Sequence, residues 1–226
     1  KDNPLGAKEI MYQFKDIRGR EFALSFTHEE IVMDLLRKNI KSYADLPLYV
    51  YHFSTKFRNE PRARSGILRA REFMMKDLYS AHTNEKDLME FYEKAKKAYT
   101  KIFERVGIGH LTYLTFASGG FFSKFSHEFQ TITSTGEDII YIDENKSIAI
   151  NKEVFNDETL EKLDLKRENL VEKKAVEVGN IFTLGTRFSD ALDLTYQTEK
   201  GDKKPVFMGS YGIGPARLMG TIVEAL

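Results

Sequence analysis

Hydrophobic positions recur along this chain with two periods, and these periods predict where helices and strands lie. A helix is expected from Thr27 to Ile40, where apolar residues follow a helical spacing and Thr27 with Glu30 is typical of a capping box. A longer helix is expected over 85–106, ending before Gly107, and a last one over 215–226, with Pro215 in its first turn.

Strict alternation of side chains over 47–57 predicts a strand, with one face formed by Tyr49, Tyr51, Phe53, Thr55 and Phe57. An extended apolar pattern resumes over 67–79, so we expect two antiparallel strands joined by a loop. Further strands are expected at 110–116, 128–133, 139–142, 175–183 and 206–211, with a polar surface helix and loop over 151–174. This alternation of strand runs with long helices indicates an α+β fold, an antiparallel sheet flanked by helices.

The charge of the chain is balanced overall but concentrated locally. Among 226 residues, 34 are Lys or Arg and 34 are Asp or Glu, which argues against a uniformly basic nucleic-acid binder. The segment 56–76, however, holds seven basic and two acidic residues, so it carries +5 and the remainder −5. Because guanidinium groups bind phosphate bidentately, this predicted hairpin is either an anion clamp or a solvated surface loop with scattered charges.

Cysteine is absent, which excludes disulfides, thiolate metal sites and a cysteine nucleophile, and fits a cytoplasmic protein. No apolar run approaches the ~18 residues of a membrane span, and the start has no signal-peptide pattern. The chain also lacks an initiator Met, so we expect it to be a fragment of a longer protein.

Several segments resemble one family. FRNEPRARSGILRAREF (57–73) resembles motif 2 of class II aminoacyl-tRNA synthetases, and GSYGIGPAR (209–217), before the last predicted helix, resembles motif 3. Within that class, four further segments are similar to bacterial-type prolyl-tRNA synthetases: FTHEE (26–30), LRAREFMMKDLYS (68–80), SHEFQ (126–130) and EVGNIFTLGTRFSDAL (177–192). The resemblance covers about residues 19–226 and keeps the motifs in family order.

The resemblance implies a class II catalytic core over 1–226 that activates L-proline with ATP and Mg²⁺ and transfers it to the 3′ end of tRNA(Pro). The parent enzyme would be a cytoplasmic homodimer. Motif 1 would precede residue 1, the anticodon-binding domain would follow residue 226, and no editing insertion fits between motifs 2 and 3. Such a reaction needs aligned anions and charge neutralisation, and no protein nucleophile.

The resemblance also assigns the ATP site. Arg58 would bridge the α-phosphate and the prolyl carboxylate, and Arg217 and Arg69 would hold the outer phosphates, with Arg58 and Arg217 as the catalytic residues. Glu60 would accept hydrogen bonds from adenine and Phe73 would stack on it. Three further positions complete this site: Glu177 as a magnesium ligand, and Gly212 and Gly214 where the backbone approaches the nucleotide.

For proline, Thr27 and Glu29 match the element that grips the secondary amine, although both could also serve the start of their helix. His127, Phe129 and Ser210 match positions beside the pyrrolidine pocket, and His28 is expected to point away. Arg62 and Arg64, in the loop of motif 2, would meet the tRNA acceptor end.

Other functions remain open. A threonyl-type class II core shares motifs 2 and 3, but that family's zinc site uses a cysteine, which this chain lacks. A non-catalytic, synthetase-like amino-acid-binding paralogue is another alternative, although it should have lost residues that bind ATP. A trans-editing deacylase is a third, although it would not need motif 2 or motif 3.

Overall fold

The structure, a computed structural model, describes residues 7–226 except 62, 64 and 121–124. The helices are Ala7–Ile10 (α1), Glu29–Asn39 (α2), Glu85–Arg105 (α3), Asp157–Lys162 (α4), Arg187–Ala191 (α5) and Pro215–Ala225 (α6). The strands are Gln13–Lys15 (β1), Glu21–Ala23 (β2), Leu48–Phe57 (β3), Glu72–His82 (β4), Thr112–Ser118 (β5), Phe125–Ile132 (β6), Asp138–Asp143 (β7), Ile148–Asn151 (β8), Leu170–Gly185 (β9), Thr195–Gln197 (β10), Lys203–Pro205 (β11) and Phe207–Ile213 (β12).

Eight strands form one sheet in the order β3-β4-β12-β9-β6-β5-β8-β7, and β7 also pairs with β9. Every neighbouring pair is antiparallel except β5 and β8, which run parallel. The predicted α+β architecture, an antiparallel sheet flanked by helices, is therefore confirmed. The central position of β12 places the predicted motif 3 directly beside β4 of the predicted motif 2.

The hairpin of β3 and β4 forms as expected, and Phe57 pairs with Glu72 next to the connecting loop. The expected start of the second strand at residue 67 is wrong, because 66–68 form a short 3₁₀ turn after Ser65, whose φ is 57°. The aromatic face of β3 is its exposed face, with Tyr51 at 70% exposure. The opposite face, which carries His52, Ser54 and Lys56, is the more buried one.

The helices α3 and α6 match their predicted positions. Asn84 caps α3 by accepting a hydrogen bond from the Asp87 backbone N–H at 3.0 Å, and Gly107 follows the helix with a φ of 89°. The capping box predicted for α2 is wrong: His28 is its N-cap residue and makes no side-chain cap bond. Thr27 lies one residue before this N-cap, and its hydroxyl donates to the Glu29 carboxylate.

The segment 151–174 is less superficial than its polar composition predicts. It contains α4, and β9 already begins at Leu170, while the preceding β8 was not expected. Val154, Leu160 and Leu165 are buried and pack with Phe116 and Ile150. These apolar residues are too far apart in sequence to give a periodic signal.

Two apolar cores lie on opposite sides of the central strands. One joins α2 to the sheet through Val32, Met33 and Leu36, and the other joins α3 and α6 through residues such as Tyr92, Tyr99 and Phe103. Within the described residues, none of the helices combines the length and the apolarity needed to cross a bilayer.

Candidate active site

A cavity of about 270 Å³ opens between β3, β4, β9, β12 and the start of α6. Eleven residues predicted for the site line it, and they come from segments up to 190 positions apart: Thr27, Glu29, Arg58, Glu60, Arg69, Phe73, Glu177, Ser210, Gly212, Gly214 and Arg217. The fold therefore gathers the predicted proline-binding and ATP-binding residues around one space.

One part of the cavity is built around the Glu29 carboxylate, which is 5% exposed. The Ser210 hydroxyl donates to Glu29 Oε1 at 3.2 Å, and the Tyr79 hydroxyl does so at 3.5 Å. The Thr27 hydroxyl donates to Oε2. Glu29 is thus held by neutral hydroxyl groups, and its negative charge is available to a cationic ligand.

Arg58 belongs to the predicted motif 2 and directly follows β3. Its Nε donates to the Phe26 backbone carbonyl at 3.2 Å, and its guanidinium carbon lies 5.2 Å from the centre of the Phe73 ring. Burial and the positive charge of Arg217 lower the pKa of Arg58, and the carboxylates of Glu177 and Glu29 act in the opposite direction. The guanidinium is fixed by one edge, which leaves its other N–H groups for an anion.

Two further arginines face the same cavity from α6 and from the loop before β4. Arg217 Nε donates to the Leu68 carbonyl at 2.9 Å, and its Nη1 lies 3.6 Å from Glu177 Oε2. Arg69 Nη1 lies 3.1 Å from Glu137 Oε2. Arg69 Nε also lies 3.6 Å from Glu60 Oε2, so each arginine is oriented by at least one partner at the cavity wall, and guanidinium groups are suited to polyanion recognition.

Two carboxylates lie close together here, the half-buried Glu177 at the cavity and the buried Glu128. Asn180 Nδ2 donates to Glu177 Oε1 at 3.0 Å and to Glu128 Oε1 at 3.3 Å, so one amide links two acids. Burial raises the pKa of Glu177, and the nearby Arg217 acts against this shift. Burial and the Glu177 charge raise the pKa of Glu128 to about 9.

The same region offers oxygen donors for Mg²⁺. Glu177 lines a small recess that adjoins the cavity, and Glu137 and Asp138 line it too. Hard divalent cations prefer oxygen ligands, so this donor set fits magnesium.

Lys56 and Asp77 line the cavity as well but were not predicted for the site. Lys56 Nζ lies 2.7 Å from Asp77 Oδ2, and the lysine side chain is 2% exposed. The signal that could have found them is alternation: Lys56 lies on the face of β3 opposite the exposed aromatic residues. A buried lysine in a period-two pattern requires a buried carboxylate partner.

Two predicted residues do not line the described cavity. Phe129 is 2% exposed and packs between Tyr99 and Phe103, because its position on β6 faces α3. The His127 ring contacts the Tyr92 hydroxyl at 2.9 Å through Nδ1, and burial lowers the pKa of His127 to about 4. Arg62, Arg64 and residues 121–124 lie outside the described residues.

Known proteins share this sequence pattern. Residues 12–226 match the family model of the tRNA synthetase class II core domain (G, H, P, S and T). The chain is 36% identical to a proline–tRNA ligase of Rickettsia akari over 228 residues, which cover 95% of the chain and 53% of that protein. It is also 36% identical to a proline–tRNA ligase of Sulfurimonas denitrificans over 95% of the chain and 53% of the relative. The chain thus spans about half the length of these curated relatives.

Solved structures share the fold at lower identity. The prolyl-tRNA synthetase of Giardia lamblia, in complex with prolyl-adenylate, matches 99% of this chain and 39% of its own with a TM-score of 0.76 at 16% identity. The enzyme of Cryptosporidium parvum, complexed with halofuginone and AMPPNP, matches 97% of this chain and 38% of its own with a TM-score of 0.71 at 18% identity. The family model covers almost the whole chain and the sheet has the matching fold, so the chain belongs to the family of class II tRNA synthetase core domains.

Proposed function

We propose that residues 1–226 form the catalytic core of a proline–tRNA ligase, which activates L-proline with ATP and transfers it to tRNA(Pro). One observation carries this proposal: a single cavity combines a buried carboxylate held by hydroxyl groups with several arginines. Such a cavity can bind an amine and a polyphosphate side by side, which is what amino-acid activation requires. The names of the curated relatives support the same reaction.

Proline would enter with its secondary ammonium group toward Glu29 and Thr27. The Glu29 carboxylate accepts from Ser210 and Tyr79, so its position is fixed before the ligand binds. An ammonium group adds the cation that Glu29 lacks among these hydroxyl partners, and a charge-assisted hydrogen bond inside a cavity is strong.

ATP would lie along the arginines. Arg58 would hold the α-phosphate and the prolyl carboxylate together, while Arg69 and Arg217 would bind the outer phosphates. Phe73 would stack on adenine, and Glu60 would accept its amino hydrogens. The carboxylate oxygen then attacks the α-phosphorus, the bond to the bridging oxygen breaks, and pyrophosphate leaves.

Glu177, with Glu137 and Asp138 beside it, would hold Mg²⁺ against the phosphates. When bound, the ion supplies positive charge that neutralises the phosphate oxygens. The residues that orient the substrates remain Arg58, Arg217 and Glu29.

The decisive measurement is ATP–pyrophosphate exchange by the purified full-length protein with proline, alanine or threonine as the amino acid. Proline should support exchange well above the other two. Exchange with threonine would identify a threonyl-type core, and proline binding without ATP binding would identify an amino-acid-binding paralogue. Either result would overturn the proposal.

We further propose that Arg62 and Arg64 contact the tRNA acceptor end, because they extend the cluster of positive charge in motif 2. The double variant Arg62→Ala/Arg64→Ala should keep proline-dependent exchange but lose part of its tRNA charging. The charging deficit should shrink at high salt, because phosphate contacts weaken there for both proteins. Equal charging by variant and wild type would remove these arginines from the tRNA site.

A further inference from the structure

Three potential metal ligands meet beside the cavity, on its α2 side. His28 Nδ1 lies 3.4 Å from His52 Nε2, and His52 Nε2 lies 3.2 Å from Asp77 Oδ2. All three donor atoms lie within 4.8 Å of one another. They come from three separate places in the chain: the N-cap of α2, the middle of β3 and the middle of β4.

The spacing of these atoms suits a tetrahedral ion. Two ligand atoms that each lie ~2.05 Å from a tetrahedral zinc are about 3.3 Å apart. The two short separations, 3.4 and 3.2 Å, already have this length. The third pair, His28 and Asp77, also has its donor atoms within 4.8 Å of each other.

Two of the proposed ligands already contact neighbouring polar side chains, as the ligands of metal sites usually do. Lys56 Nζ lies 2.7 Å from Asp77 Oδ2 and would remain as a partner of the ligating carboxylate. Carboxylate ligands are usually hydrogen-bonded in this way. The Ser54 hydroxyl lies 3.0 Å from His28 Nδ1, which places a further oxygen beside the site. His52 is 30% exposed, so solvent and ions can reach the cluster.

We propose that His28, His52 and Asp77 bind a divalent transition-metal ion of the zinc class, with water or the Ser54 hydroxyl as the fourth ligand. Two imidazoles and one carboxylate favour zinc over magnesium, which prefers oxygen ligands alone. His52 would bind through Nε2, with its proton on Nδ1. The ion would link His28, the N-cap residue of α2, to His52 on β3 and Asp77 on β4.

The site has a consequence for the cavity, and this consequence alone rests on the proposed function. His28 lies between Thr27 and Glu29, the pair proposed to bind the prolyl amine. An ion that fixes His28 would also restrict the backbone on both sides of it, which would pre-organise the amine site.

The test uses the purified full-length protein after treatment with a chelator, titrated with Zn²⁺ and separately with Co²⁺ as a spectroscopic probe, without proline or ATP. We expect one ion per chain, an increase in Tm with Zn²⁺, and the visible bands of tetrahedral Co²⁺. His28→Gln and His52→Gln should each weaken binding by about tenfold or more. His110→Gln is the matched control, since His110 is exposed and remote from the cluster, and it should bind like wild type.

A second measurement works on the wild type alone and does not depend on the folding of any variant. Zn²⁺ should protect His28 and His52, but not His110, from modification by diethyl pyrocarbonate, as read by mass spectrometry. Absence of stoichiometric binding, or equal binding by wild type and both cluster variants, would overturn the site. A protein that binds Zn²⁺ in this way yet fails to exchange pyrophosphate with proline would refute only the proposed function.

Discussion

Glu29 is the residue on which amino-acid recognition depends most directly. Its carboxylate is 5% exposed and accepts hydrogen bonds from hydroxyl groups, so replacing it by Gln keeps the shape and removes the charge. We expect Glu29→Gln to raise the KM for proline about tenfold to a hundredfold, the usual contribution of a hydrogen bond to a charged group. The KM for ATP should change far less, and both constants can be read from pyrophosphate exchange.

Glu30→Gln is the matched control for this variant, because Glu30 is the next residue on α2 and is exposed. It removes the same charge outside the cavity and should leave both KM values near wild type. If the two variants behaved alike, the effect would come from the helix N-terminus and its dipole, and Glu29 would lose its role in binding the amine.

Arg58 is the residue where the two reactants would meet. Arg58→Ala should lower the rate of pyrophosphate exchange by about 10²–10³-fold, the range seen when one pre-organised donor to a transition state is removed. The fold should persist, because Arg58 contributes one hydrogen bond to Phe26 and a stacking contact with Phe73. Circular dichroism and Tm would check this, and Arg37→Ala, an exposed arginine on α2, is the control. Undiminished exchange by Arg58→Ala would exclude Arg58 from the site.

Among the elements, α3 shows how helix packing positions the sheet beneath the cavity. Tyr92 and Tyr99 lie two turns apart on its buried face. The Tyr92 hydroxyl donates to the Ile181 carbonyl on β9 at 3.1 Å, whereas the Tyr99 hydroxyl has no hydrogen-bond partner among the described residues. Both residues are almost fully buried, so the two hydroxyl groups should affect stability in opposite directions.

We expect Tyr99→Phe to raise stability by about 1 kcal/mol, because it removes a buried hydroxyl group without a partner. For a domain of this size that corresponds to an increase in Tm of about 2–4 °C. Tyr92→Phe should lower Tm by a similar amount or more, because it removes the contacts of the hydroxyl with the Ile181 carbonyl and with His127 Nδ1. Thermal unfolding of the two variants measures both effects. A lower Tm for Tyr99→Phe would show that the hydroxyl group of Tyr99 in the wild type has a partner, such as a water molecule.

Hydrophobic periodicity predicted the elements that have one buried and one exposed face. It did not predict the exact start of an element where local backbone geometry or side-chain hydrogen bonds determine it. The alternation in β3 and the apolar face of α3 were both recognisable because solvent lies on one side of each. The late start of β4 depends on a left-handed residue at Ser65, which composition does not reveal. The capping box at Thr27 failed because α2 begins one residue later than expected, with His28 as its N-cap residue.

About half of the residues that line the cavity were predicted from a resemblance, and burial explains where prediction and structure differ. Phe129 was predicted to lie beside the proline pocket, but its position on β6 places it in the core beside α3. Lys56 and Asp77 were not predicted for the site. They lie on different strands, so their ion pair can be recognised only once β3 and β4 are known to be neighbours. Residue type alone therefore does not show whether a side chain lies in the core or at the cavity.

Across the whole molecule the net charge is zero, but basic and acidic residues are unevenly distributed along the chain, and both kinds meet at the cavity. The basic segment 56–76 supplies Arg58 and Arg69, while the rest of the chain supplies Glu29 and Glu177, with Glu128 linked to Glu177 through Asn180. The negative charge of Glu177 makes ionisation of the nearby Glu128 more costly, which raises the pKa of Glu128. The stability of the whole fold is therefore coupled to the pH at which these acids ionise.

Glu128 gives this coupling a definite sign. Burial and the Glu177 charge raise its pKa to about 9, so the folded chain keeps a proton that the unfolded chain releases above about pH 4.5. Stability should therefore fall as the pH rises toward 9, with a slope of at most about 1.4 kcal/mol per pH unit for one proton. Burial lowers the pKa of His127 to about 4, which acts in the opposite direction only below about pH 6.5, the ordinary value of histidine.

The window from about pH 7 to about pH 8.5 therefore isolates the carboxylates from the histidines. Glu128→Gln cannot ionise but keeps an acceptor for its amide neighbours, so its Tm relative to wild type should increase across this window. Glu168→Gln, an exposed acid elsewhere on the chain, should follow the wild-type profile. Parallel profiles for Glu128→Gln and wild type would mean that Glu128 is already ionised at neutral pH. The N–H groups of the neutral amides around it would then have to stabilise two carboxylates, and Mg²⁺ should bind more strongly at Glu177 because more negative charge lies beside it.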